Sequence, residues 1–144
     1  MRDLYNDIGE TGVDGLIAGP RFPIAFKGIT VASGQGVLKR GTALGIKTAS
    51  GKAVLLNSAN TTTIPPVGDG NPTIVPDGNL PDCVLAEDID ATNGDVTAIA
   101  YSAGYFVRGK LIFGGNDTWE THELEMRKLN MHMSASIDAE GGVK

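Results

Sequence analysis

The residues best suited to binding a cation lie between Asp88 and Asp95, where carboxylates alternate with other side chains. A calcium loop of the EF-hand type needs oxygen ligands at alternate early positions, a glycine at the sixth position and a glutamate at the twelfth. Counted from Asp88, the sixth position is Asn93 and the twelfth is Ile99. Strand-like sequence flanks the stretch where helices would be required. We therefore expect an acidic hairpin tip centred on Asn93 and Gly94, and no metal site.

The stretch from Gly45 to Ala53 has the glycine and lysine content of a phosphate-binding loop. Such a loop closes with glycine, lysine and a serine or threonine whose hydroxyl binds magnesium, and it opens a helix. Here the spacing is one residue too long, and Ala53 stands where the hydroxyl is needed. No helix signal follows whose N-terminus would receive a phosphate. The stretch is instead predicted to be a hairpin with its turn at 48–52.

Two histidines, His122 and His132, and a single cysteine, Cys83, complete the set of reactive side chains. No acidic residue or cysteine accompanies the histidines at a spacing typical of a metal centre. The chain also lacks the G-x-S-x-G turn of a serine nucleophile. Cys83 lies in a strand-like context, where a lone cysteine usually packs as a small hydrophobe. We therefore predict no catalytic residue, no metal ligand and no cofactor, and expect that the protein is not an enzyme.

The charge of the chain argues against a nucleic-acid partner. The 144 residues carry a formal net charge of -5, and the longest basic runs are the pairs Lys39–Arg40 and Arg127–Lys128, too few to grip a phosphate backbone. The N-terminal residues lack the basic and apolar regions of a signal peptide, and no stretch has the apolar length that crosses a bilayer. We expect a soluble single-domain protein, made in a reducing compartment, with no membrane partner.

The elements that would position any site are short strands. Twenty glycines and 6% aromatic residues, with frequent Pro, Asn, Asp and Ser, are typical of many strands joined by tight turns. Strand signals recur from Phe26 to Phe113, which predicts a mainly β domain over residues 25–137 followed by a flexible tail at 138–144. Residues 57–81 interrupt the pattern with Pro, Gly, Asn and Thr. We predict a long exposed loop insertion there, with a brief edge strand at 73–75.

One helix is predicted, over residues 117–130. Asp117 can cap its N-terminus with Glu120 as the capping-box partner. The helix has an apolar stripe at helical spacing, formed by Trp119, His122, Met126 and Leu129. The only tryptophan fits a core position and an interface anchor equally well. Trp119, His122 and Met126 are therefore candidate interface residues.

Residues 1–24 do not have the pattern of a core segment, because turn signals separate their apolar residues. One interpretation is a frayed terminus. The other, which we favour, is an extended arm that orders on a partner by adding a strand to its sheet edge, since several large apolar side chains would otherwise face water. The candidate anchors of this arm are its large apolar residues: Leu4, Tyr5, Ile8, Leu16, Ile17, Phe22 and Ile24.

Residues 28–112 resemble the head decoration protein family of tailed phages. An ordered series of segments carries the resemblance: Leu38–Gly45, Thr48–Val54, Val84–Ala91, Gly94–Ala98 and Gly104–Phe106. The resemblance implies a β-barrel-like or β-tulip domain of short antiparallel strands that forms a homotrimer. It also implies a capsid decoration, or cement, protein, which binds the major capsid protein on the outer surface of the expanded head at three-fold positions and stabilises the shell.

The resemblance further implies a location on the virion after synthesis in the host cytoplasm. Family members commonly have an N-terminal arm that orders against the capsid protein, which matches the arm predicted at 1–24. The alternative is a capsid-surface appendage that binds host-cell or glycan ligands through residues 57–81. Glycan sites usually present exposed aromatic rings, and this segment contains none.

Overall fold

The computed structural model describes residues 15–134. Within this range the chain forms ten β-strands and one α-helix. The strands are β1 (Ala25–Val31), β2 (Gly36–Leu38), β3 (Ala43–Ile46), β4 (Ala53–Leu55), β5 (Thr61–Ile64), β6 (Thr73–Pro76), β7 (Cys83–Leu85), β8 (Ile89–Ala91), β9 (Val96–Val107) and β10 (Met131–Ser134). The helix, α1, spans Trp119–Lys128, and none of the described helices is long and apolar enough to cross a membrane.

Five strands close into a ring. β1 pairs with β4, β4 with β3, β3 with β7, β7 with β9, and β9 with β1. The longest ladder joins β1 and β9 in antiparallel register from Ala25↔Ala103 to Val31↔Val96. β10 lies outside the ring on the C-terminal half of β9. The prediction of a mainly β, barrel-like fold with one helix near the C-terminus is confirmed, but the strands are not all antiparallel, because the β1–β4 and β9–β10 pairings are parallel.

The inside of the ring is filled by alternate residues of its strands. Ile29 and Val31 of β1 lie opposite Ala98 and Val96 of β9, and they pack with Leu44 in one core cluster. Burying a side chain of this size contributes about 1.5–3 kcal/mol each. A second cluster lies between the C-terminal half of β9, β10 and α1. The period of two in the sequence therefore fixes which face of each strand reaches the core.

Helix α1 is shorter than the predicted 117–130, and its N-cap lies one residue later than expected. Its N-cap is Thr118, whose backbone N–H donates to the Thr121 hydroxyl at 3.1 Å. The predicted pairing of Asp117 with Glu120 is therefore wrong, because the Asp117 carboxylate is engaged with a distant loop. The helix ends before Asn130, whose φ of 65° turns the chain into β10.

Residues 57–81, predicted as a long loop, contain a hairpin. β5 and β6 pair in antiparallel register from Thr61↔Pro76 to Ile64↔Thr73 and form a two-stranded sheet of their own. The predicted edge strand at 73–75 is thus present as β6, and its partner β5 was missed. Below the hairpin the chain packs tightly on β3, where a Cβ on Gly45 would lie 2.4 Å from the Gly78 carbonyl oxygen.

Candidate binding surfaces

The described part of the predicted arm starts with a short backbone pairing on β9, an isolated antiparallel bridge between Ile17 and Phe106. The Ala18 N–H donates to the Tyr105 carbonyl at 2.8 Å, and the Val107 N–H donates to the Leu16 carbonyl at 2.8 Å. Leu16 is 1% exposed and packs in the core cluster that β9 and α1 share. Ile17 is half-buried. Of the predicted anchors, Leu16 thus lies in the interior of its own chain.

The next arm residues lie on the surface near β10. The Phe22 ring stacks on the His132 imidazole, with centroids 3.9 Å apart, and meets the Tyr105 ring edge-on at 5.1 Å. Ile24 is 42% exposed. Phe22 and Ile24 therefore offer apolar surface to a partner, although Phe22 is partly covered. Three predicted anchors lie outside the described residues: Leu4, Tyr5 and Ile8.

An exposed apolar surface that the sequence did not single out lies on the outside of the β1–β9 ladder. Phe26 is 59% exposed and Ile99 47%. Phe26 is paired with Tyr101 and Gly28 with Ile99, so these residues share one face, which we call the outer β1–β9 face. Ile24 precedes this face by two residues. The sequence contained a sign of this face in the alternation of residues along the two strands, because Phe26 and Ile99 do not fall at the positions that are buried in their strands.

The candidate interface residue His122 is instead part of a buried polar network. It is 3% exposed, and its Nε2 lies 2.6 Å from Asp117 Oδ2. Asp117 also accepts hydrogen bonds from the Ser58 N–H at 2.6 Å and the Ser58 hydroxyl at 2.7 Å. Burial pushes the pKa of Asp117 upward, but the hydrogen bonds from Ser58 and His122 outweigh it and hold the pKa below its usual value. This network ties the start of α1 to the loop after β4.

The other two candidate interface residues of α1 also contact their own chain. Met126 is fully buried. Trp119 is half-buried, and the Arg108 guanidinium lies 4.0 Å from its ring centroid, within cation–π range. Arg108 Nε also donates to the Ser134 carbonyl at 2.8 Å. The apolar residue that α1 presents to solvent is Leu124, which is 68% exposed.

The β5–β6 hairpin is held at its base by a polar cluster, which we call the Asp77 latch. The Asp77 carboxylate accepts hydrogen bonds from the Thr48 N–H at 2.8 Å, the Thr48 hydroxyl at 2.9 Å and the Thr62 hydroxyl at 2.7 Å. Lys47 Nζ donates to the Thr61 carbonyl at 2.7 Å. The hydrogen bond from Thr62, followed by that from the Thr48 backbone, holds the pKa of Asp77 below its usual value. The latch fixes the hairpin to the β3–β4 turn.

Beyond the latch the hairpin is apolar and exposed. Ile64 is 47% exposed, Ile74 68% and Val67 95%. Asp69 is the only charged residue between Thr61 and Pro76. Exposed apolar patches on soluble proteins commonly mark interaction surfaces, so the hairpin is a second candidate binding surface.

The acidic residues that suggested a cation site bind groups of their own chain. Asp88 Oδ1 accepts the Arg40 N–H at 2.8 Å. Asp95 accepts the Ser33 N–H at 2.8 Å and lies 2.6 Å from Lys52 Nζ. Among residues 15–134, no three His, Cys, Asp or Glu side chains are grouped closely enough to hold a metal ion. These carboxylates therefore act as turn and ion-pair partners.

The cysteine is buried between strands. Cys83 is fully buried, and this burial raises the pKa of its thiol to about 12. A thiol with such a pKa stays protonated at neutral pH and is a poor nucleophile. The structure thus gives Cys83 a packing role.

Comparison with known proteins assigns a family. The family model described as bacteriophage lambda head decoration protein D matches residues 8–131. No curated protein matches the chain. The matched span includes the five-stranded ring, α1, the outer β1–β9 face and the β5–β6 hairpin.

Proposed function

The chain belongs to the family of bacteriophage lambda head decoration protein D, and on that basis we propose that it binds the expanded phage head at three-fold positions as a homotrimer and stabilises the shell. The family is one of structural phage proteins, so the chain has a capsid decoration role and belongs to the virion. The family match over residues 8–131 is the observation that carries the proposal.

The capsid-facing part of the molecule is proposed to be the arm and the surface that continues it. Leu16 to Ala18 are fixed on β9 by backbone hydrogen bonds, so this end of the described residues has a defined position on the domain. Leu4, Tyr5 and Ile8 would anchor that segment on the major capsid protein by pairing with a sheet edge. Ile24 and Phe26, which are 42% and 59% exposed, would extend the same contact along the outer β1–β9 face.

The mechanism is binding alone. A trimer presents three arms to one three-fold position, so the second and third contacts form at a high effective concentration and avidity can exceed a single contact by about 100-fold or more. Contacts that span neighbouring capsid subunits would then resist their separation. The carboxylates of the Asp77 latch and of the tip at 88–95 bind partners in their own chain, which supports a non-enzymatic role.

The proposal is tested by mixing the purified protein with expanded and unexpanded heads and sedimenting the particles. We expect saturable binding to expanded heads only, a trimer by light scattering, and retention of DNA by decorated heads at temperatures that open undecorated ones. A monomer that does not sediment with expanded heads would overturn the proposal. Heads incubated with an unrelated acidic protein of similar size provide the control.

A further inference from the structure

Within residues 15–134, one edge of β1 has no strand beside it over most of its length. All of β1 is paired with β9 on one side, but on the other side the ladder with β4 contains only Val31↔Ala53. The Ala32 N–H donates to the Ala53 carbonyl at 2.9 Å, and backbone groups alternate in direction along a strand. The backbone groups of Gly28 and Phe26 therefore point to the β4 side, where residues 15–134 provide no strand.

A groove lies along this open edge. Its volume is about 620 Å³, and its lining includes Lys27, Gly28 and Thr30 of β1 together with Ile46, Gly51 and Asp82. A Cβ added to Gly28 or to Gly51 would meet no atom within 4 Å. Lys27 and Asp82 form an ion pair across one part of the groove. The groove thus combines an unpaired strand edge with open space, which is what an added strand requires.

The β5–β6 hairpin has the complementary properties. It forms a separate two-stranded sheet, so within the described residues each of its strands has one unpaired edge. An isolated hairpin of this kind is marginally stable in water. Ile64 and Ile74 add exposed apolar surface, and Asp69, its only charge, lies in the connection between the strands. A neutral, apolar strand matches a groove whose own two charges already neutralise each other.

The groove and the hairpin both involve residues of a single turn, the one between β3 and β4. Lys47, at the start of this turn, binds the hairpin through the Thr61 carbonyl, whereas Gly51, near its end, lines the groove. Because the two surfaces are different and lie on the same chain, a contact between them in two copies is head-to-tail. Repeated head-to-tail contacts close into a ring when the rotation permits.

We propose that the β5–β6 hairpin of one copy inserts into the β1 groove of the next copy and adds a strand to its β1, which closes the trimer. This inference rests on the trimer in the proposed function and adds the two surfaces that form its interface. The occupant of the groove is thus a second copy of this chain, and the capsid is left to the arm and the outer β1–β9 face.

The test uses engineered cysteines, for which the buried Cys83 gives little background. Chains that carry only Gly28→Cys are mixed with chains that carry only Thr63→Cys, and disulfides are formed under mild oxidation. We expect a covalent dimer that contains one chain of each kind, at a yield at least tenfold above that of Gly28→Cys mixed with Asn116→Cys, a control at an exposed position near α1. Each chain has one new cysteine, and its other cysteine, Cys83, is buried, so we expect no cross-link within a chain.

Light scattering on the same samples separates this inference from the proposed function. A trimer that gives no cross-link above the control overturns the hairpin interface but leaves the trimer and capsid binding standing. A monomer that gives no cross-link overturns the hairpin interface and the trimer, and the sedimentation assay with expanded heads then decides capsid binding. A second pair of variants compares Ile74→Asp with Val37→Asp, since Val37 is similarly exposed at 59% but lies on β2. We expect Ile74→Asp, but not Val37→Asp, to weaken trimer association by at least tenfold. Equal effects of the two substitutions on trimer association would contradict the hairpin interface.

Discussion

Residues 15–24 and the β5–β6 hairpin are both apolar segments interrupted by glycine or proline, yet they are attached to the domain by different forces. The first is joined to β9 by backbone pairing and by Leu16, which is 1% exposed. The second is held by the polar Asp77 latch, and its large apolar side chains, such as Val67 and Ile74, face solvent. Apolar content alone therefore does not determine which segment joins the core, because the decisive factor is an available strand edge above a core.

The largest effect expected from this comparison is on Leu16. Leu16→Ala removes a fully buried side chain from the cluster beneath β9, and such a change typically costs about 2–5 kcal/mol of unfolding free energy. Urea unfolding followed by circular dichroism measures the change. A loss below about 1 kcal/mol would mean that the segment is only loosely attached, contrary to its pairing with β9.

The Asp77 latch is expected to control the hairpin without controlling the domain. Asp77→Asn keeps the shape of the side chain but replaces a charged acceptor of three hydrogen bonds with a weaker one. Amide hydrogens of β5 and β6 should then exchange roughly tenfold faster, while those of β9 keep their protection, because local opening has its own free energy. Hydrogen exchange with mass spectrometry tests this, and uniform acceleration across β9 would contradict a local latch.

Lowering the pH is expected to weaken the contacts of three aspartates and thereby to lower the stability of the folded chain. The pKa values of Asp77, Asp95 and Asp117 are lowered from 3.8 in the folded chain, chiefly by hydrogen bonds at Asp77 and Asp95 and, at Asp117, by hydrogen bonds that overcome burial. Their stabilisation is present above pH 3.8 and is lost as the pH falls through the folded-state values. Urea midpoints should change little between pH 7 and 5 and fall below pH 4. A fall that begins between pH 7 and 5 would implicate other groups.

The smallest effect is expected at the exposed end of the hairpin. Ile74→Ala should change the unfolding free energy of the monomer by about 0.5 kcal/mol or less, since Ile74 is 68% exposed and surface substitutions rarely exceed that value. Unfolding at concentrations that keep the chain monomeric is the measurement. A loss comparable to that of Leu16→Ala would show that the two regions do not differ as described.

Much of the ring could be predicted from the sequence because its strands alternate and are separated by strong turn signals. The N-cap of α1 was displaced by one residue because Asp117 binds Ser58, a contact between residues 59 positions apart that no local pattern encodes. β5 was missed because a run of threonines shows no alternation of apolar and polar residues. The parallel pairings of β1 with β4 and of β9 with β10 depend on closure of the whole sheet, which local propensity does not determine.

The candidate surfaces were predictable in part for a similar reason. Apolar residues in 1–24 suggested an arm, but only the register of β9 with Leu16 and Ala18 shows where the core ends and the available surface begins. His122 and Met126 were candidate interface residues because they lie on the apolar side of the helix. The sequence does not show whether that side packs against the chain's own strands or against a partner. Phe26 and Ile99 lie in strands whose sequences suggest burial. The register of the β1–β9 ladder is needed to tell which residues of these strands point inward.

The most direct test of capsid decoration through the arm is the affinity of the chain lacking residues 1–14 for expanded heads. This deletion stops before Leu16, so the folded domain should keep its unfolding midpoint and its oligomeric state. We expect saturable binding of the full chain and at least about a tenfold loss of affinity for the shortened one, because three arm contacts act together in each trimer. Equal binding of the two chains, or no binding of the full chain, would contradict the account.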